Sequence, residues 1–137
     1  MQLNWAGRRV LIVEDNTIIA MPLISYLEVC GADVVGPASS LEAAFDALDR
    51  CDAIDAAVLD VELGRELVWP LAVELSERGI PFVFATGSAD ESIYPPALRQ
   101  YPRIAKPYYE SAVAASLHAL VTDEQQERQG ELFQLSS

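Results

Sequence analysis

Short apolar runs punctuate the chain: VLIV at 10–13, DVV at 33–35, AAVL at 56–59, FVFA at 82–85 and a weaker RIA at 103–105. Apolar residues that run on without alternating predict strands of a parallel sheet covered on both faces. The segments between them follow a helical period instead. Ile19, Leu23, Leu27 and Cys30 form one stripe, and Leu41, Ala44, Phe45 and Leu48 a second. Leu67, Leu71 and Leu75 form a third, and Val113, Leu117, Leu120 and Val121 the last. Ser39 with Glu42 is the expected capping box of the second helix. Pro70 sets the regular start of the third helix near itself or bends its first turn.

Strand and helix therefore alternate through the chain, which predicts a doubly wound α/β domain. The expected architecture is a five-stranded parallel sheet, flavodoxin-like, of order 2-1-3-4-5, with helices on both faces. One place breaks the alternation. SADESIYPPALRQYP, residues 88–102, lies where a fourth helix belongs, yet Pro95 and Pro96 interrupt it and Pro102 closes it. An interior proline costs a helix about 3 kcal/mol, so a short or irregular fourth helix is expected. Arg99 and Arg103 add positive charge to this segment.

With 137 residues the chain suits one hydrophobic core and not two ordinary domains. No apolar run approaches the roughly 18 residues of a membrane span, and the start, MQLNWAGRRV, lacks the apolar stretch of a signal peptide. A cytoplasmic location is expected. The net charge of −12 repels phosphate backbones and anionic lipid, so neither nucleic acid nor a membrane is an expected partner. Cys30 and Cys51 fit no metal-ligand spacing and read as reduced thiols.

Ligands of this fold sit at the carboxyl ends of the strands near the switch point between strands 1 and 3. Chemically useful residues fall there. Glu14 and Asp15 follow the first strand, Asp60 ends the third, Thr86 the fourth, and Lys106, the chain's one lysine, the fifth. Converging carboxylates repel by about 3 kcal/mol for a pair at about 5 Å and an effective dielectric of about 20. Lys106 offsets part of this, and a divalent ion such as Mg²⁺, which prefers oxygen ligands, would offset more. A carboxylate nucleophile, a metal, an ammonium and a hydroxyl together suit phosphoryl transfer.

Over residues 8–121 this pattern resembles the receiver domain of bacterial two-component response regulators: the acidic pair in VLIVEDN, Asp60 in AVLDVEL, Thr86 in FVFATG and Lys106 in RIAKP. PFVFATG further resembles the FATGUY subclass of single-domain receivers, with Ser88 and Ala89 departing from its usual Tyr-Gly. The resemblance implies that Asp60 is the phosphoacceptor. It implies that Asp15 binds Mg²⁺ directly and Glu14 directly or through water, with Asp60 and the Glu62 carbonyl completing the metal's protein ligands. Thr86 would bond a phosphoryl oxygen, and Lys106 would pair with Asp60 and later with the phosphoryl group, next to a cis Lys106–Pro107 bond. Many receivers carry a rotating aromatic three residues before this lysine; Arg103 stands there, so the usual threonine–aromatic switch is not expected in its ordinary form.

The function so implied is that of a stand-alone response regulator. It takes a phosphoryl group from a sensor histidine kinase or phosphotransfer protein, signals to an unknown downstream protein, and acts on itself rather than as an enzyme on other substrates. A pseudo-receiver that binds partners without phosphotransfer is the alternative. A haloacid-dehalogenase-type hydrolase ranks last, because Asp60-Val61-Glu62-Leu63-Gly64 does not meet its Asp-x-Asp signature. Residues 1–121 form the expected receiver domain, and 122–137 a polar extension of the last helix or a tail. His118 is expected on the helix surface rather than as a phosphorelay residue.

Overall fold

The computed structural model describes residues 4–135, with side chains described through 122. Strands β1 (Arg9–Val13), β2 (Asp33–Ala38), β3 (Ala56–Asp60), β6 (Phe82–Thr86) and β7 (Arg103–Ala105) form one sheet. Its order is β2-β1-β3-β6-β7, and every pairing is parallel. This is the expected 2-1-3-4-5 arrangement. A small antiparallel hairpin, β4 (Glu62–Leu63) with β5 (Glu66–Leu67), follows β3.

Helices α1 (Thr17–Val29), α2 (Leu41–Arg50), α3 (Trp69–Glu77) and α4 (Glu110–Leu135) cover the sheet. Alternate strand residues divide the core between the two faces. Leu11, Leu59, Phe82 and Phe84 pack with Leu48, Leu71 and Leu75 of α2 and α3 on one face. Val10, Ile12, Val58 and Val83 pack with Leu23, Leu27, Val113 and Leu117 of α1 and α4 on the other. Continuous apolar strands are the direct consequence of burial on both sides.

Local signals hold with small displacements. The cap of α2 is Ser40, not Ser39: its hydroxyl accepts from the Ala43 amide at 3.1 Å, because the first helical residue is Leu41 and the third is Ala43. Pro70 sits in the first turn of α3, where its missing amide breaks no helical bond. Strand β2 runs on through Gly36 and Pro37, with a register shift against β1. Gly36 has φ +114°, and a Cβ there would stand 2.5 Å from the Ile12 carbonyl oxygen, so only glycine fits. Both Gly36–Pro37 and Lys106–Pro107 are cis.

No α-helix fills the space between β6 and β7. Two single turns of 3-10 helix, Glu91–Ile93 and Pro96–Leu98, stand there, as the prolines require. Tyr94 between them and Leu98 are buried. Helix α4 continues past Val121 and through Gly130 to Leu135. His118 is half-buried rather than on the open surface; its ring meets Trp5 edge-on at 5.3 Å.

Candidate functional site

The parallel register places Val13 of β1 opposite Leu59 of β3, so the residues that follow, Glu14 just beyond β1 and Asp60 at the end of β3, stand side by side. Glu14 and Asp60 are buried while Asp15 is exposed, and one carboxylate oxygen from each lies within 4.8 Å of the others. Backbone amides hold the set. Asn16 donates to Glu14 Oε2 at 3.3 Å, Glu62 to Asp60 Oδ1 at 3.3 Å, and Gly64 to Asp15 Oδ2 at 2.9 Å. The last bond explains the hairpin after β3. Gly64 opens its two-residue turn with φ +61°, which presents its amide to Asp15.

Lys106 enters from the end of β7, where its amide donates to the Thr86 carbonyl at 2.8 Å. Its Nζ lies 2.7 Å from Glu14 Oε1 and 3.2 Å from Asp60 Oδ1. The tighter of its two contacts is to Glu14, a partner beyond the expected Asp60. Burial works against the ammonium, but Glu14 and Asp60 outweigh it and hold the Lys106 pKa above its usual value. Burial, then the hydrogen bond and charge of Glu14, push Asp60 up to about 8 against the pull of Lys106. Asp15 is lowered: its slight burial opposes the shift, and the Gly64 amide and the neighbouring carboxyls produce it.

Three hard oxygen donors at this spacing suit a divalent cation, which would relieve their mutual repulsion. Glu14, Asp15 and Asp60 are thus compatible with a divalent metal site. Millimolar Mg²⁺ should raise the melting temperature, since a ligand of the native state adds about 2.7 kcal/mol at one hundred times its Kd. Asp15→Asn should reduce that shift by more than half. Equal shifts in the two proteins would move the metal away from these carboxylates.

Thr86 is buried at the end of β6, one residue beyond Ala85, the register partner of Asp60. Its hydroxyl is turned elsewhere: Oγ1 accepts from the Ser88 amide at 3.0 Å and donates to the Ser88 carbonyl at 3.4 Å. Behind it stands Tyr94, which the sequence reading did not single out. Its ring packs on Phe84 and Trp69 at centroid distances of 5.4 and 5.0 Å, under the Arg103 guanidinium at 4.4 Å. Arg103 therefore stacks on an aromatic in place of being one. It is not free for a partner either, as it pairs with Glu91 at 2.6 Å and donates to the Arg99 carbonyl at 2.7 Å.

No protein-family model matches the chain, and no curated protein does. Solved structures do. The solution structure of SdrG from Sphingomonas melonis Fr1 is 38% identical, covering 88% of this chain and 98% of that one at a TM-score of 0.65. The BeF3-activated conformation of SdrG from Pseudomonas melonis Fr1 is 41% identical over 85% and 98% of the two chains, at a TM-score of 0.68. The signal receiver domain of a modulated diguanylate cyclase from Desulfovibrio desulfuricans G20 is 29% identical over 87% and 97%, at a TM-score of 0.75. The chain belongs to the response regulator receiver family. In this receiver the acidic pair, Asp60, Thr86 and Lys106 stand at the carboxyl edge of the sheet, where the fold rule locates ligands.

Proposed function

We propose that this receiver is a single-domain response regulator that accepts a phosphoryl group on Asp60 from a phosphohistidine of a sensor kinase or phosphotransfer protein, and signals through a downstream protein. The observation that carries this reading is the ion set around Asp60: a buried carboxylate paired with a lysine and flanked by two further carboxylates. In the transfer an Asp60 oxygen forms the new O–P bond. The N–P bond of the donor breaks, its electron pair goes to the imidazole nitrogen, and that nitrogen takes up a proton. Lys106 stabilises charge on the phosphoryl oxygens, and Thr86 bonds one of them in the product. Glu14, Asp15, Asp60 and the Glu62 carbonyl would hold Mg²⁺, which supplies positive charge at the transferring group.

The approach for a phosphodonor protein lies beside Lys106. A cavity of about 330 Å³ is lined there by Ile18, Ile19, Pro22, Pro107 and Tyr108, and Ile18 is 84% exposed. Such an apolar surface next to charged chemistry suits a helical partner. The residues of PFVFATG support a place in the FATGUY subclass, from whose motif Ser88 and Ala89 depart.

Acetyl phosphate with Mg²⁺, or a phosphorylated kinase, should label the wild type at Asp60, as mapped by mass spectrometry. Asp60→Asn should lose the label entirely. Lys106→Ala should keep some label and respond poorly. Full labelling of Asp60→Asn at another residue, or none in the wild type with any donor, would remove the assignment, the second outcome in favour of a binding module that does not turn over phosphate.

A further inference from the structure

Two buried polar atoms next to Thr86 lack hydrogen-bond partners among the described residues: Tyr94 Oη and Arg103 Nε. Both residues border a cavity of about 150 Å³, which Thr86 and Ser88 also line. Tyr94 is 2% exposed, and the nearby Thr86 hydroxyl bears on its phenol without a hydrogen bond of ordinary geometry. An unpartnered buried hydroxyl costs about 1–3 kcal/mol, so a second arrangement that supplies a partner recovers that much against the Ser88 bonds it gives up. The Thr86 oxygen can supply it, but in the unmodified protein that oxygen is turned to the Ser88 amide at 3.0 Å, which takes one of its two lone pairs and leaves the phenol without a bond.

We propose that Tyr94 is the positioning residue of Thr86: its phenol competes with the Ser88 amide for the Thr86 oxygen and turns the threonine hydroxyl toward the group on Asp60. This rests on the phosphoacceptor reading of Asp60. With Ser88 as partner, the Thr86 proton goes to the Ser88 carbonyl and the hydroxyl is spent on its own loop. With Tyr94 as partner, the phenol donates to Oγ1, the Thr86 proton is free for a phosphoryl oxygen, and both Ser88 backbone groups are released. Arg103 keeps the phenol in place. It lies over the ring at 4.4 Å and is itself fixed by Glu91 and the Arg99 carbonyl, while Arg99 Nε donates to the Tyr94 carbonyl at 3.1 Å. The released Ser88 leads directly into the 3-10 turn that carries Glu91, so the same event loosens the loop from Ser88 to Ile93.

The test uses beryllofluoride with Mg²⁺ as the phosphoryl mimic on wild type, Tyr94→Phe, Arg103→Lys and Arg103→Met. Fluorine NMR reports whether the adduct forms, and amide exchange follows Ser88. In wild type the adduct should speed Ser88 exchange by about fivefold or more, the worth of one hydrogen bond. In Tyr94→Phe the adduct should still form while the Ser88 change falls below about twofold, and the unmodified variant should unfold about fivefold less readily because an unpartnered hydroxyl is gone. Arg103→Met should blunt the Ser88 response and Arg103→Lys should restore part of it. Trp69, which touches the Tyr94 ring, should report the ring's shift by its fluorescence. An adduct in Tyr94→Phe with the full wild-type response at Ser88 overturns the proposal alone. Absence of any adduct in wild type overturns the phosphoacceptor reading and the proposal with it.

Discussion

Asp60→Asn should make the metal-free protein more stable, by an amount that widens as the pH rises from about 4 to about 8. The Asp60 carboxyl, with an ordinary value of 3.8, is pushed up to about 8 by burial and by Glu14. The folded state therefore prefers the neutral acid. A raised carboxyl pKa contributes stability that is full below the unfolded value and is lost as the pH climbs through the folded one. The ceiling of that loss is about 6 kcal/mol at about 1.4 kcal/mol per pH unit. About half of it, 2–3 kcal/mol, is expected at pH 8, because Lys106 and Glu14 share the charge with Asp60. Asparagine keeps the shape and cannot ionise, so it escapes the loss. Urea unfolding of both proteins across this range, with chelator present, measures it. A gain that stays flat with pH, or a variant weaker than wild type at pH 8, would show that Asp60 is not held against its charge. Mg²⁺ should close the gap from the wild-type side, since the variant lacks one carboxylate ligand.

The same burial explains why so much of this molecule was legible in its sequence. Strands covered on both faces must be continuously apolar, so VLIV, AAVL and FVFA marked the sheet and its carboxyl edge, and the edge marked the site. Lys106 was legible through its position after RIA and before Pro107. What escaped depends on contacts between distant segments. The Glu14–Lys106 pair joins the first and last strand ends, and the Gly64 amide reaches Asp15 across 49 residues. Tyr94 lies in a polar, proline-broken stretch with no periodicity, and only the packing of Phe84, Trp69 and Arg103 turns it inward. The edge strand β2 was read short, at DVV, because its apolar run stops at Val35, whereas the strand itself continues through Gly36 and Pro37 in close approach to Ile12.

Lys106→Met should destabilise the metal-free protein by about 2 kcal/mol at pH 8, below the 3–5 kcal/mol seen when a fully buried pair loses one partner. The discount follows from the 17% exposure of the Lys106 side chain, which leaves water access to the stranded carboxylates. Methionine keeps most of the stem's packing, so the change isolates the charge. The Nζ faces two carboxylates, and the double variant separates them. With asparagine at 60 the contact at 3.2 Å no longer carries charge, while the contact to Glu14 at 2.7 Å remains. Lys106→Met should then cost about 1 kcal/mol in the Asp60→Asn background, leaving a coupling of about 1 kcal/mol for Lys106 with Asp60. That residue of cost, assigned to Glu14, is the part of the lysine's work that a phosphoryl group on Asp60 would leave in place. If the two changes simply add, Lys106 is held by Glu14 alone, its link to Asp60 carries no energy, and the lysine must be recruited to the phosphoryl group only after transfer.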